Sequence, residues 1–405
     1  MAKEICGLGF GYNSDTFEEA GGNVVNRVWR HLLLTMVIVP SCIGQGVCAQ
    51  VLRPTTSPEA IALPDYGLWQ AQERQRLLAA IDHSLRYFDT NTAREDYAQV
   101  QIPGFTRENV RRSLMRFRQL VQQYPDPRQL HQAIQREFVF YQSQGNDGLG
   151  QVEFTAYFEP AYVASSIQTP EFQYPLYQQP TDFETWQRPH PTRIELEGTN
   201  GMPPEGSPLR GNELVWLKSR LEAYLIQVQG SARLQLTDGQ TMTIGFDGST
   251  DYEYVSLGKE LINDGVFQPE ALSLPKLIEY FENNPDQLST YIPRNNRFIF
   301  FRETFGAPPT GSIGVPVLAE RSIATDKTLF PPGAIAFIAT QLPYQRANGD
   351  WLKIPVNRYV LDQDTGSAIK GAGRVDIFLG TGPNVQTRAG LVNDPGALYY
   401  LLLKN

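Results

Sequence analysis

Asp364-Thr-Gly-Ser-Ala-Ile-Lys-Gly-Ala-Gly-Arg-Val-Asp-Ile-Phe-Leu-Gly380 decides how the chain is read, because a polar, glycine-rich turn runs directly into a strand carrying one acid among apolar neighbours. In a strand over 375–379 the side chains alternate, so Val375, Ile377 and Leu379 share one face and Asp376 and Phe378 the other. The acid is therefore expected to look into a cleft rather than the core. A carboxyl beside Phe378 and partly shielded from water is pushed toward its neutral form, in which it can donate a proton near physiological pH. Taken alone, a single aspartate is better accounted for by a turn or surface role, and the rest of the chain has to decide.

At 405 residues the chain is long for one domain, and two folded units behind a leader are expected. Hydrophobic content of 41% and charged content of 19% are those of an ordinary globular protein. A net charge of -8 argues against nucleic acid or an anionic membrane surface as the main partner. The aromatic content of 11% can furnish a sugar-binding cleft, though tyrosines also fill cores. Cys6, Cys42 and Cys48 all fall in the first 48 residues, which leaves no thiol further on for a disulfide or a metal. His31, His83, His131 and His190 are scattered without metal-ligand spacing. Neither metal nor cofactor is expected.

In chain order, residues 1–26 show no usable period. Arg27, Arg30 and His31 then precede an apolar run over 32–40, and Val47-Cys48-Ala49 ends in small residues that fit a cleavage site. The leader, 1–49, therefore reads as a secretory signal, its apolar run being too short to span a bilayer. Lipidation of Cys42 is a second reading, which Pro40 fits poorly. Residues 50–64 have the composition of a linker, and folding is expected to begin near Asp65. Three helices should follow: 68–88, 106–123, and one opening at Asp126-Pro127 with a capping acid before proline. Strands begin at 150–160, Asp238-Gly239 marks a hairpin turn, and a further helix is expected over 274–283.

The opening stretch resembles the signature of the small domain named for its three aspartates, a run close to D-T-G-G-A-I-K-G followed by a basic residue and an Asp-hydrophobic-Phe strand. Asp326, in Ala324-Thr-Asp-Lys-Thr-Leu-Phe-Pro-Pro-Gly333, matches the first aspartate, while Asp364 and Asp376 match the other two. Further blocks resemble the membrane-bound lytic transglycosylase A family. Thr155, Tyr157 and Pro160 fit its T-G-Y-Y-x-P strand, with Ala156 at a glycine. Gln227-Val-Gln-Gly-Ser-Ala232 fits Q-V-Q-G-S-G, with Ala232 at a glycine, and Ser367 stands at a third. Leu257-Gly258-Lys259 and Asn296-Arg-Phe-Ile-Phe-Phe301 match two more blocks. This resemblance implies a mainly β fold with N-terminal helices (α+β). A six-stranded double-psi β-barrel would be built from residues 65–160 and 298–405, with a second β-barrel domain inserted at 161–297. A groove between the two would hold a glycan strand of peptidoglycan.

By the same resemblance Asp376 is the catalytic residue, general acid toward the oxygen between N-acetylmuramic acid and N-acetylglucosamine, then general base on the muramic acid C6 hydroxyl. The product carries a 1,6-anhydro end. Asp364 and Asp326 support it, each placed to fix a loop through backbone N–H groups. Thr155, Tyr157, Gln229, Gly230 and Ser231 are the groove-lining candidates, and Lys370 and Arg374 can meet a carboxylate of the substrate. Such an enzyme would be exported to the periplasm or cell envelope, with a lipid anchor or envelope protein partner as a further expectation. Two other readings stay open: a β-glucan hydrolase with a second carboxylate facing Asp376, and a non-catalytic, expansin-like wall-binding protein.

Overall fold

The computed structural model describes residues 50–55 and 61–404, so the leader, its cleavage site and Cys42 lie outside the described residues. The first elements are β1 (Leu52–Pro54), the helices α1 (Ala71–Phe88), α2 (Asn91–Gln99), α3 (Arg107–Gln123) and α4 (Pro127–Glu137), then β2 (Phe138–Ser143) and β3 (Val152–Glu159). Asp126 caps α4 ahead of Pro127, as its position in the sequence predicted, and Thr106, expected as the first residue of a helix, instead caps α3 through its hydroxyl. Helix α3 buries Val110, Leu114, Phe117 and Val121. Phe117 lies edge-on to Tyr359 at 5.0 Å, and burying such a ring stabilises by about 1.5–3 kcal/mol. Helix α2 was not anticipated, since its polar sequence buries only Ala93 and Tyr97. The stretch expected to be a linker is ordered at its start, where β1 pairs antiparallel with β2 and buries Leu52. Three residues are too few to register as a period.

The second unit contains β4 (Ala161–Ser165), β5 (Tyr174–Tyr177), α5 (Arg193–Glu197), β6 (Glu213–Leu217), α6 (Arg220–Gln229), β7 (Ser231–Leu236) and β8 (Thr241–Ser249). After these come α7 (Leu257–Asn263), α8 (Leu274–Asn283), α9 (Leu288–Tyr291) and β9 (Ile299–Glu303). Its sheet runs β5-β6-β4-β7-β8-β9, and the edge strands β5 and β9 pack against each other without a hydrogen-bonded ladder. The turn at Asp238-Gly239 joins β7 to β8 as expected. Strand β9 pairs antiparallel with β8, which joins Ile299–Glu303 to this sheet. The apolar run Phe298-Ile-Phe-Phe301 reads equally well as either sheet's strand, and only pairing distinguishes them.

The chain then returns as β10 (Ser322–Ala324), β11 (Ile335–Gln345), β12 (Trp351–Asp364), β13 (Arg374–Thr381), α10 (Pro383–Gly390) and β14 (Asn393–Leu403). Six strands close on themselves in the order β14-β11-β12-β10-β13-β3 and back to β14, while β2 and β1 extend the sheet beyond β14. One barrel is thus assembled from both sides of the second unit, with α1 and α3 packed on β12 and β14.

His131 shows how tightly the helices are held to the barrel. Its Nε2 lies 2.6 Å from the Ile61 carbonyl and its Nδ1 2.6 Å from the Tyr359 hydroxyl, an arrangement that a neutral ring satisfies by donating once and accepting once. Burial lowers its pKa, and the Ile61 bond offsets this only partly. The unfolded chain therefore binds this proton more readily than the folded one, and stability present above about pH 6.5 is lost as pH falls below that value. Denaturant titrations at pH 7.5 and 5.5 are expected to show a loss of about 1 kcal/mol from this group, absent in His131→Gln. An equal loss in the variant would contradict the assignment.

Candidate active site

Strands β3 and β13 run parallel and in register, setting Arg374 opposite Glu153, Asp376 opposite Thr155 and Phe378 opposite Tyr157. Alternation puts these side chains on one face, and each pair is in contact. Arg374 Nη1 lies 2.8 Å from Glu153 Oε2, and the Thr155 hydroxyl donates to Asp376 Oδ1 at 2.9 Å. The rings of Tyr157 and Phe378 are 5.0 Å apart. Arg374 Nη2 also donates to Thr155 Oγ1 at 3.4 Å, linking the first two rungs. On the opposite face Val375, Ile377 and Leu379 enter the main core.

The alternation in the sequence is therefore correct, but Asp376 is more enclosed than it suggested. Asp376 is only 1% exposed, and its strand is flanked by β10 on one edge and β3 on the other. The small apolar cluster of Tyr157, Val317, Ala324 and Phe378 lies beside it.

Asp364 accepts hydrogen bonds from a phenol and from backbone amides. Tyr157 OH reaches its Oδ2 at 3.0 Å, and the amides of Thr365 and Ser312 reach its Oδ1 at 2.8 and 3.0 Å. Burial, followed by the charges of Asp364 and Asp376, pushes the Tyr157 phenol well above its ordinary pKa, so it remains a donor. Asp326 accepts from the amide and hydroxyl of Thr328 at 3.0 and 2.7 Å and from the Gly371 amide at 2.9 Å. Burial alone would raise its pKa, but these bonds and the Lys370 charge outweigh it and leave it below the usual value. Lys370 itself is exposed.

The second unit contributes Gln229 at the end of α6. Its Oε1 accepts from the Phe158 amide at 3.3 Å, and its Nε2 is buried without a partner among the described residues. Gly230, at φ +72°, turns the chain left-handed and donates its N–H to the Ile226 carbonyl at 2.8 Å, ending the helix as glycine does readily. Ser231 then opens β7 opposite Gly245. Arg374 Nε and Ser367 Oγ are likewise buried without a hydrogen-bond partner among the described residues. Of these three side chains, Arg374 is tied to the Asp376 rung, through Thr155.

Residues 153–302 match the family model described as the MltA specific insert domain, and residues 321–402 match the 3D domain. The membrane-bound lytic murein transglycosylase A of Vibrio cholerae is 30% identical over 264 residues, spanning 64% of this chain and 68% of that protein. The chain belongs to the membrane-bound lytic murein transglycosylase A family. Among solved structures, Escherichia coli MltA with bound chitohexaose shares the fold at TM-score 0.67 and 24% identity, over 88% of this chain and 96% of that one. The lytic transglycosylase LtgG of Burkholderia pseudomallei aligns at TM-score 0.52 and 27% identity, over 88% and 96%.

Two of the three departures from the family's glycines point away from the site. Ala156 and Ala232 are fully buried in hydrophobic clusters, whereas Ser367 places its hydroxyl in the signature loop itself. Sequence reasoning missed Glu153 and Glu159, although both alternate with Thr155 and Tyr157 along β3. It also missed Lys327, whose ammonium bonds the buried Asp362 carboxylate, Thr325 Oγ1 and the Asp364 carbonyl. That cation is adjacent in sequence to Asp326, but its anionic partner lies 35 residues away. A separate cavity of about 740 Å³ opens on the second unit, lined by Trp186, His190 and Tyr252 among others, and contains none of the candidate residues.

Proposed function

We propose that Asp376 carries the proton in a lytic transglycosylase reaction on peptidoglycan. The enzyme class follows from the family: this is a lytic transglycosylase, a lyase acting on the bond between N-acetylmuramic acid and N-acetylglucosamine. The observation that carries the residue assignment is the Thr155 to Asp376 hydrogen bond across the two barrel strands. It orients one carboxyl in a nearly dry setting, where a carboxylic acid can be retained as a donor. In the forward step the Asp376 carboxyl gives its proton to the glycosidic oxygen as the C1–O bond breaks. The resulting carboxylate then takes the proton of the muramic acid C6 hydroxyl as O6 bonds to C1. The proton is returned, no water is consumed, and the glycan ends as the 1,6-anhydro sugar.

A hydrolase would need a second carboxylate to activate water. Asp364 and Asp326 are poor candidates for that role, since each spends its lone pairs on backbone amides and neighbouring hydroxyls. We assign both to holding the loops that flank Asp376. Thr155, Tyr157, Gln229, Gly230, Ser231, Arg374 and Lys370 are assigned to the glycan-binding groove between the two units. The parallel pairs β3 with β13 and β10 with β12 support the double-psi description of the barrel, and the second sheet is assigned to an inserted barrel domain.

The relatives are named as membrane-bound proteins, and no described helix is long and apolar enough to cross a membrane. Export to the envelope, with attachment through the leader, is the reading that joins these facts. The substrate class is tested by offering purified peptidoglycan and a soluble β-1,4-glucan side by side. Soluble fragments from peptidoglycan alone are expected. Fragments from the glucan alone, or retention on peptidoglycan without release, would favour the hydrolase or the wall-binding reading.

A further inference from the structure

The ladder that positions Asp376 has a fourth rung. Beyond a register shift, β3 and β13 pair again at Glu159 and Thr381, and the Thr381 hydroxyl donates to Glu159 Oε2 at 2.7 Å. Glu159 shares the face of Thr155 and Tyr157 by alternation. Four residues of strand set it roughly 13 Å from the Thr155 rung. This exceeds the separation of paired catalytic carboxylates, which is about 6.5–9.5 Å in inverting glycosidases, so Glu159 cannot share the chemistry with Asp376.

Its surroundings are those of a binding group. Glu159 is 1% exposed, and its Oε1 accepts no hydrogen bond from the described residues, unlike Oε2. The second unit presents Arg233, whose Nε stands 3.8 Å from Oε2, beyond hydrogen-bond range. The Arg233 side chain is 43% exposed and makes no hydrogen bond with the described residues. A buried acceptor and a half-exposed fork of donors thus meet where the chain passes from barrel to second unit, at Pro160, whose carbonyl accepts from the Arg233 amide at 2.9 Å.

We propose that Glu159 and Arg233 form a remote glycan subsite, Glu159 accepting from a sugar hydroxyl or acetamido N–H and Arg233 donating to the neighbouring sugar oxygens. This rests on the peptidoglycan-cleaving reading and adds a length dependence to it. Short substrates leave the subsite empty, whereas longer strands fill it and gain affinity.

The test compares kcat and KM on long soluble glycan strands and on a short fragment with one disaccharide on each side of the cleaved bond. Glu159→Gln keeps shape and the Thr381 contact, and Arg233→Met removes the donors while keeping much of the stem. For each variant the ratio of kcat/KM on long strands to that on the short fragment should fall about tenfold or more, mainly through KM. An equal loss on both substrates would make the pair a brace for Asp376, and unchanged ratios in both variants would make it an ion pair between the units. Either result overturns the subsite. Failure of the wild-type protein to cleave either glycan would instead refute the underlying peptidoglycan reading.

Discussion

Asp376→Asn is expected to lower kcat on peptidoglycan by about a hundred to ten-thousandfold, the range in which a positioned acid or base acts, while the protein stays folded and binds glycan. The asparagine can keep an oxygen toward the Thr155 hydroxyl, which reaches Asp376 Oδ1 at 2.9 Å, so the rung survives. What it lacks is a titratable proton, and both halves of the reaction need one. Thr155→Val should have a smaller effect, because it loosens the carboxyl without removing it. The relevant measurements are initial rates of fragment release, with co-sedimentation on peptidoglycan reporting binding. A variant that keeps more than about a tenth of the wild-type rate would remove Asp376 from the role of proton carrier.

The largest stability effect is expected far from the site, at Asp65. Its Oδ1 accepts from the Gly67 amide at 3.0 Å and faces Arg358 at 3.3 Å, while its Oδ2 accepts from the Tyr359 amide at 3.2 Å and pairs with Arg321. Both Asp65 and Arg321 are fully buried. Arg321 is shared with Glu73 on α1 at 3.2 Å, so this one cluster ties the segment ahead of α1 to β12, to α1 and to the residue preceding β10. Asp65→Ala leaves the Arg321 charge under-compensated in the interior and is expected to cost about 3–5 kcal/mol, read as a lowered denaturant midpoint. Replacing both partners with apolar residues of similar volume should be markedly milder, since breaking a buried pair costs more than removing it. If the single variant were as stable as wild type, the cluster would not be what fastens the N-terminal segment.

What could be read from the sequence, and what could not, divides by distance along the chain. The β13 alternation, the cap at Asp126 and the hairpin at Asp238-Gly239 are local patterns, and each has its expected structure. Helix α2 escaped because a short polar helix with two buried residues carries almost no period. Strand β9 has a clear pattern but no mark of which sheet it joins. Asp65 could be read as the acid ahead of the first helix, but not as the partner of Arg321, 256 residues away. The same limit applies at the site. Asp376 is legible from its own strand, whereas the Thr155 hydroxyl that orients it comes from 221 residues earlier. Glu159 alternates visibly with Thr155 and Tyr157, yet only the pairing of β3 with β13 makes it a rung of the same ladder.

The most direct test of the central claim is the mass of the glycan ends released from purified peptidoglycan by the wild-type protein, beside Asp376→Asn and without added metal. Muropeptides one water lighter than hydrolysis products, absent from the variant, are the predicted result. Reducing ends of full mass would instead mean that water is the nucleophile, and would contradict an intramolecular C6 attack served by a single carboxyl.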